Sequence, residues 1–127
     1  MLLVKIDLKT EELNNSNNVI ASLLTMEVIF GEDQRRRITF DSRKKREIKI
    51  GRIKNEETDF AFEDNDVSRK QCMIIYEDNN WYIVDGDGIN PSSNGTWFYP
   101  EKYFNIIDGL IIRIGTTLFE CKYLEGP

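Results

Sequence analysis

The sequence predicts an all-β protein, a two-sheet antiparallel β-sandwich, and three observations carry that reading. Short apolar runs recur along the chain, several of them alternating with polar residues; a period of two marks a strand with one buried face. Clusters of Gly, Pro, Asn, Asp and Ser separate the runs, as tight turns require. No segment after residue 25 carries a helical period, and strands without helices pack as sandwiches or barrels. A length of 127 residues fits one domain with an ordinary core.

Residues 1–8 alternate loosely and are expected to form a strand, followed by an asparagine-rich loop from Glu11 to Asn18. Residues 1–23 are thus an N-terminal extension with a possible extra strand, 24–124 the domain proper, and 125–127 a tail. Leu24 to Phe30 reads as a strand ending at Gly31-Glu32-Asp33, and Arg37-Ile38-Thr39-Phe40 follows it. In Glu47-Ile48-Lys49-Ile50 isoleucines alternate with charges, which predicts one buried face. Asp59 to Phe62 is a short further strand. Cys72 to Tyr76 and Trp81 to Val84 flank the turn Glu77-Asp78-Asn79-Asn80 and predict a hairpin. Residues 85–95 are dense in turn formers, and Thr96-Trp97-Phe98-Tyr99 resumes the strand pattern until Pro100. Leu110 to Ile114, framed by Gly109 and Gly115, and Thr117 to Tyr123 complete the set.

Composition narrows the function. Hydrophobic residues at 40% and charged residues at 31% describe a globular chain. No apolar run approaches the roughly 20 residues of a spanning helix. Met1 to Asp7 is too short and too soon charged for a signal peptide. An intracellular protein, nuclear or cytoplasmic and not membrane-bound, is expected. On that reading the triplets Asn14-Asn15-Ser16 and Asn94-Gly95-Thr96 are not glycan sites. Cys72 and Cys121 lie far apart in apolar runs, which predicts two buried reduced thiols and no disulfide. The absence of histidine excludes a Ser-His-Asp or Cys-His nucleophile system built within this chain. No enzyme activity, cofactor or metal site is expected. A calcium loop at Asp85-Gly86-Asp87-Gly88 fails on spacing, because Ile89 and Asn90 stand where an EF-hand needs a ligand and a glycine.

A net charge of −5 argues against nucleic-acid binding by the whole surface. Ten of the 17 Lys and Arg nevertheless lie between Arg35 and Lys54. The run Arg43-Lys44-Lys45-Arg46 reads first as a hairpin turn with a solvated face, and second as a nuclear-import or nucleic-acid patch.

Three clusters close β-rich runs: Gly51-Arg52, Ser68-Arg69-Lys70-Gln71 and Ser93-Asn94-Gly95-Thr96. Arginine offers a rigid fork of donors that matches phosphate oxygens and stays charged near neutral pH. Ser68 supplies a hydroxyl, Arg69 a second cation, and Asn94 an amide suited to a peptide main chain. Gly95 permits a positive φ. Taken singly, each cluster is an ordinary turn. In this order, and with Ile50, Val67 and the closing Gly109, Ile112 and Gly115, they resemble the forkhead-associated (FHA) family over residues 24–124.

That resemblance implies an FHA/SMAD-like sandwich of about eleven strands whose loops at one end bind phosphothreonine in partner proteins. It implies that Arg52 and Ser68 contact the phosphate, Arg69 adds a phosphate or peptide contact, Ser93 lines the site and Asn94 holds the peptide main chain. Gly51, Gly95 and Thr96 shape the loops. Gln71 stands where the family usually has a histidine that braces the loops, and glutamine also donates and accepts hydrogen bonds. A methyl pocket favouring threonine over serine is implied as well. Asp66 occupies the place from which some members read the residue three positions after the phosphothreonine, which predicts a basic or neutral residue there. The competing reading is an FHA fold serving as a phospho-independent structural or assembly module. The oligomeric state, the partner and the kinase are left open by the sequence.

Overall fold

The computed structural model describes residues 3–12, 20–31 and 35–124, and its chain divides into two units, Met1–Thr96 and Trp97–Pro127. The first holds seven strands in two sheets. Strands β1 (Leu3–Glu12), β2 (Ile20–Phe30) and β3 (Arg37–Asp41) form one antiparallel sheet in that order. Strands β4 (Glu47–Gly51), β5 (Phe60–Ala61), β6 (Cys72–Glu77) and β7 (Asn80–Asp85) form the other, ordered β5-β4-β6-β7.

Alternation explains the packing. In β4, Ile48 and Ile50 are buried while Glu47 and Lys49 are exposed. Leu24, Met26 and Val28 of β2 and Phe40 of β3 meet Ile48, Ile50, Phe60, Cys72 and Ile74 in one core. Burying each of these larger side chains contributes about 1.5–3 kcal/mol. A polar tie joins the two sheets: Trp81 Nε1 of β7 donates to Ser22 Oγ of β2 at 2.8 Å. Ser22 N in turn donates to Ser42 Oγ at 3.0 Å, and Ser42 N to Ser22 O at 2.9 Å. This meets the hydrogen-bonding demand of a buried hydroxyl pair.

The β6–β7 hairpin forms where the sequence predicts it. Glu77 pairs with Asn80, and the two central residues, Asp78 and Asn79, have φ of 49° and 64°. That is the left-handed pair of a two-residue hairpin turn, which Asn and Asp tolerate.

In the second unit β8 (Ile111–Ile114) and β9 (Thr117–Glu120) form a two-stranded antiparallel hairpin. Gly109 N donates to Cys121 O and Cys121 N to Leu110 O, which continues the pairing past β9. Arg113 lies over the Trp97 ring with 5.4 Å to its centroid.

Several expectations change. The described residues form nine strands in three sheets, where about eleven in two were expected. One pairing is parallel, β4 with β5. Thr96 to Tyr99 forms no strand, although its β-branched and aromatic residues suit one. Glu11 and Glu12, expected in a loop, extend β1 by pairing with Ala21 and Ile20. The rest of that loop, the turn residues Glu32-Asp33 and the tail 125–127 lie outside the described residues. Cys72 is buried and Cys121 only partly so, and both are free thiols. Among the described residues no helix is long and apolar enough to cross a membrane.

Candidate functional site

One end of the second sheet collects every predicted site residue, and its pairing pattern explains why. Gly51 at the end of β4 pairs with Ala61 at the end of β5, the two strands being parallel. Ile50 pairs with Cys72 at the start of β6, and Cys72 with Asp85 at the end of β7. The chain therefore leaves β4, β5 and β7, and enters β6, at the same edge. Arg52, the loop 62–71 and the loop 86–96 all start or finish there.

Backbone bonds draw the first two segments together. Arg52 N donates to Ser68 O at 3.1 Å, Gln71 N to Ile50 O at 3.0 Å, and Phe62 N to Gly51 O at 3.1 Å. The approach is close enough that a Cβ on residue 51 would lie 1.8 Å from Arg69 O. Gly51 thus works by leaving room for the loop rather than by making a turn. Gly95 does make one, with φ of 79°, a conformation that costs glycine nothing.

Gln71 ties the second segment to the third. Its Oε1 accepts from Ser68 N at 2.9 Å, while Nε2 donates to Gly95 O at 2.9 Å, Thr96 Oγ1 at 3.2 Å and Ser92 Oγ at 3.3 Å. Two more bonds cross between the loops: Ser93 N donates to Ser68 Oγ, and Asn94 Nδ2 to Asp66 O, both at 2.9 Å. The Ser68 hydroxyl accepts from Ser93 and so keeps its own proton to give to a ligand.

Asp85, which sequence reasoning missed, anchors the long loop. Its Oδ1 accepts from Ser92 Oγ at 2.6 Å and Thr96 Oγ1 at 2.7 Å, and Oδ2 from Ser92 N at 3.0 Å. Burial alone would raise this carboxyl. The hydroxyls of Ser92 and Thr96 and the amides of Ser92 and Gly86 together outweigh it and hold the group below the usual carboxylate range. Farther out, the Asn90 and Ile89 amides hold the Asp87 carboxyl low, and Lys70 Nζ lies 3.8 Å from Asp87 Oδ2. These aspartates cap a loop. No group of acids, Cys or His among the described residues is arranged to hold a metal ion. Beneath the brace, burial and then the Asp85 charge push the Cys72 thiol up to about 11, which leaves it protonated and unreactive near neutrality.

The result is an open pocket of about 260 Å³ lined by Arg52, Ser68, Arg69, Ser93, Asn94 and Asp66, together with Asn65 and Val67. The first six are predicted site residues; Asn65 and Val67 are additions. Gly51, Gln71, Gly95 and Thr96 stay outside the lining, where they hold the loops. Among the described residues neither the Arg52 nor the Arg69 guanidinium has an ion-pair partner. Two guanidinium forks and a hydroxyl donor lining one pocket have the chemistry that suits a tetrahedral oxyanion.

The FHA domain family matches residues 48–115, just over half of the chain. The protein belongs to the FHA family. No curated protein and no solved structure matches the chain significantly. FHA domains are phosphopeptide-binding protein-interaction modules and not enzymes. The matched span begins inside β4 and contains all the pocket residues.

Proposed function

We propose that this FHA domain binds phosphothreonine in a partner protein and so recruits that partner. The observation that carries the reading is the pairing of Arg52 and Arg69, without acidic partners among the described residues, with the Ser68 hydroxyl in one pocket. A phosphoryl group adds nearly two negative charges and strong acceptor oxygens, so these groups discriminate against the unmodified threonine. Arg52 and Ser68 take the phosphate, Arg69 the phosphate or the peptide flank, and Ser93 and Asn94 the side nearest the long loop. Fluorescence anisotropy with matched phosphothreonine, phosphoserine and unmodified peptides tests the reading. Binding is expected for the first and is expected to weaken strongly in Arg52→Ala; a pool bound equally with and without phosphate would overturn it.

Asp66 sets the peptide preference. It is exposed at the pocket rim, and its backbone is held at both ends, by Asn94 on its carbonyl and by Asp64 Oδ1 on its amide. A carboxylate carried at that rim position favours a basic or neutral residue three positions after the phosphothreonine. Enrichment of Asp or Glu at that place in a peptide array would sink this assignment.

The competing reading, a phospho-independent structural module, draws on Gln71 in place of the family histidine and on the long loop before Asn94. The bonds Gln71 makes to Ser68, Ser92, Gly95 and Thr96 argue against it.

A further inference from the structure

Asn94 and Gly95 form the dipeptide in which asparagine loses its side-chain ammonia most readily, because glycine leaves the following amide nitrogen unshielded. Asn94 is exposed, so water and hydroxide reach it. Three bonds nevertheless restrain the step. Gly95 N donates to Ser92 Oγ, Asn94 Nδ2 donates to Asp66 O, and Gly95 O accepts from Gln71 Nε2, each at 2.9 Å.

We propose that Asn94–Gly95 is a deamidation site, restrained by its bonds to Ser92, Asp66 and Gln71, whose conversion switches the pocket off. Hydroxide removes the Gly95 amide proton, and the nitrogen attacks Asn94 Cγ. The bond from Cγ to Nδ2 breaks, the nitrogen departs with the electron pair and a proton as ammonia, and a cyclic succinimide remains. Water then opens either imide carbonyl to give aspartate or isoaspartate. The net change is amide plus water to carboxylate plus ammonium.

The restraint is physical. An amide proton shared with Ser92 Oγ is harder to remove, and a carboxamide tethered to Asp66 O is turned toward the loop 62–71 instead of folding back onto Gly95. The consequence is electrostatic. A new carboxylate beside Arg52 and Arg69 neutralises the forks and repels a phosphoryl dianion, and it loses the donor that ties the loops at Asp66. This consequence rests on the phosphothreonine reading; the chemistry of the bond does not.

The test ages the whole protein in parallel, folded in buffer and unfolded in urea at the same pH and temperature. Mass spectrometry follows the gain of about one dalton, with fragment ions assigning it to position 94. Conversion is expected to be at least about tenfold slower in the folded protein, and faster in Ser92→Ala than in wild type once circular dichroism shows the variant folded. Equal rates in buffer and urea would overturn the restraint, whatever Ser92→Ala does. For the consequence, Asn94→Asp is expected to bind a phosphothreonine peptide at least about tenfold more weakly than fresh wild type. Equal binding overturns the switch. Failure of fresh wild type to bind counts against the phosphothreonine reading and removes the switch with it, while the conversion rates decide the deamidation site by themselves.

Discussion

The two ends of β4 carry cations of opposite fate. At its start, Arg43 forms a two-pronged pair with Asp41, at 3.0 Å and 2.7 Å. Lys45 Nζ lies 2.9 Å from Asp59 Oδ1, and Arg46 sits over the Tyr76 ring. At its finish, Arg52 and Arg69 line a pocket with no ion-pair partner among the described residues. The denser run of charge is thus the turn that carries the chain from β3 in one sheet to β4 in the other, not the hairpin turn that the sequence suggests, and the sparser one lines the pocket proposed as the receptor. Charge density along a sequence does not locate a binding site; what matters is whether the fold has already supplied the counter-charge. The same contrast weakens the nucleic-acid reading of residues 43–46, since most of that run is engaged.

The comparison breaks most directly at Arg52. Arg52→Ala should lower phosphothreonine-peptide affinity by about 2–5 kcal/mol, the range for truncating one member of a desolvated charge pair. Arg43→Ala, read by the same anisotropy titration, should leave affinity unchanged. Equal losses in the two variants would erase the distinction between the two ends. Gly51→Ala is next. The new methyl meets Arg69 O, so the loop must move away, at about 1–3 kcal/mol of stability as for other overpacked sites. Urea denaturation measures this, and an unchanged midpoint would show that the loop yields freely.

Gln71→Ala should cost about 1–2 kcal/mol of stability, because Ser68 N and Gly95 O lose their partners in a half-buried place. Gln71→His should recover much of the loss if bracing is its role. The smallest effect belongs to the start of β4. Hydrogen bonds from the Arg43 side chain and backbone, against a small contribution from burial, hold the Asp41 carboxyl down at about 2. The folded value lies below that of the unfolded chain, near about 3.9. Its support for the fold is therefore complete above that pH and lost as pH falls toward 2. A carboxyl titration by NMR should give an Asp41 midpoint near 2, and a midpoint near 4 would show the pair to be open in solution.

Alternation made β4 legible, and an Asp-Asn pair between apolar runs made the β6–β7 hairpin legible, because both signals are local. Glu11 misled for the opposite reason: its charge suggests a loop, yet an edge strand tolerates it with Ala21 opposite. The three clusters gave the pocket five of its lining residues, and Asp66, two residues before Ser68, is a sixth. Asp85 stayed hidden, since its importance lies in bonds to Ser92 and Thr96 across a loop. The signal available was an Asp-Gly step directly at the end of a strand, and it was weighed as a calcium ligand instead of as a loop anchor.

The β6–β7 hairpin has a consequence for the order of folding. Its closure depends on contacts between near neighbours in the chain, and such hairpins form on a scale of about 1–10 μs. Closing it sets Cys72 opposite Asp85 and brings Gly86 N to Gln71 O at 2.8 Å. On that timescale the two anchors of the brace are expected to meet early, with Arg52 arriving when β4 docks against β6. Weakening the turn with Asn79→Ala should slow refolding in stopped-flow experiments, whereas truncations in β4 should mainly speed unfolding. The scaffold for the ligand would then exist before its principal cation reaches it.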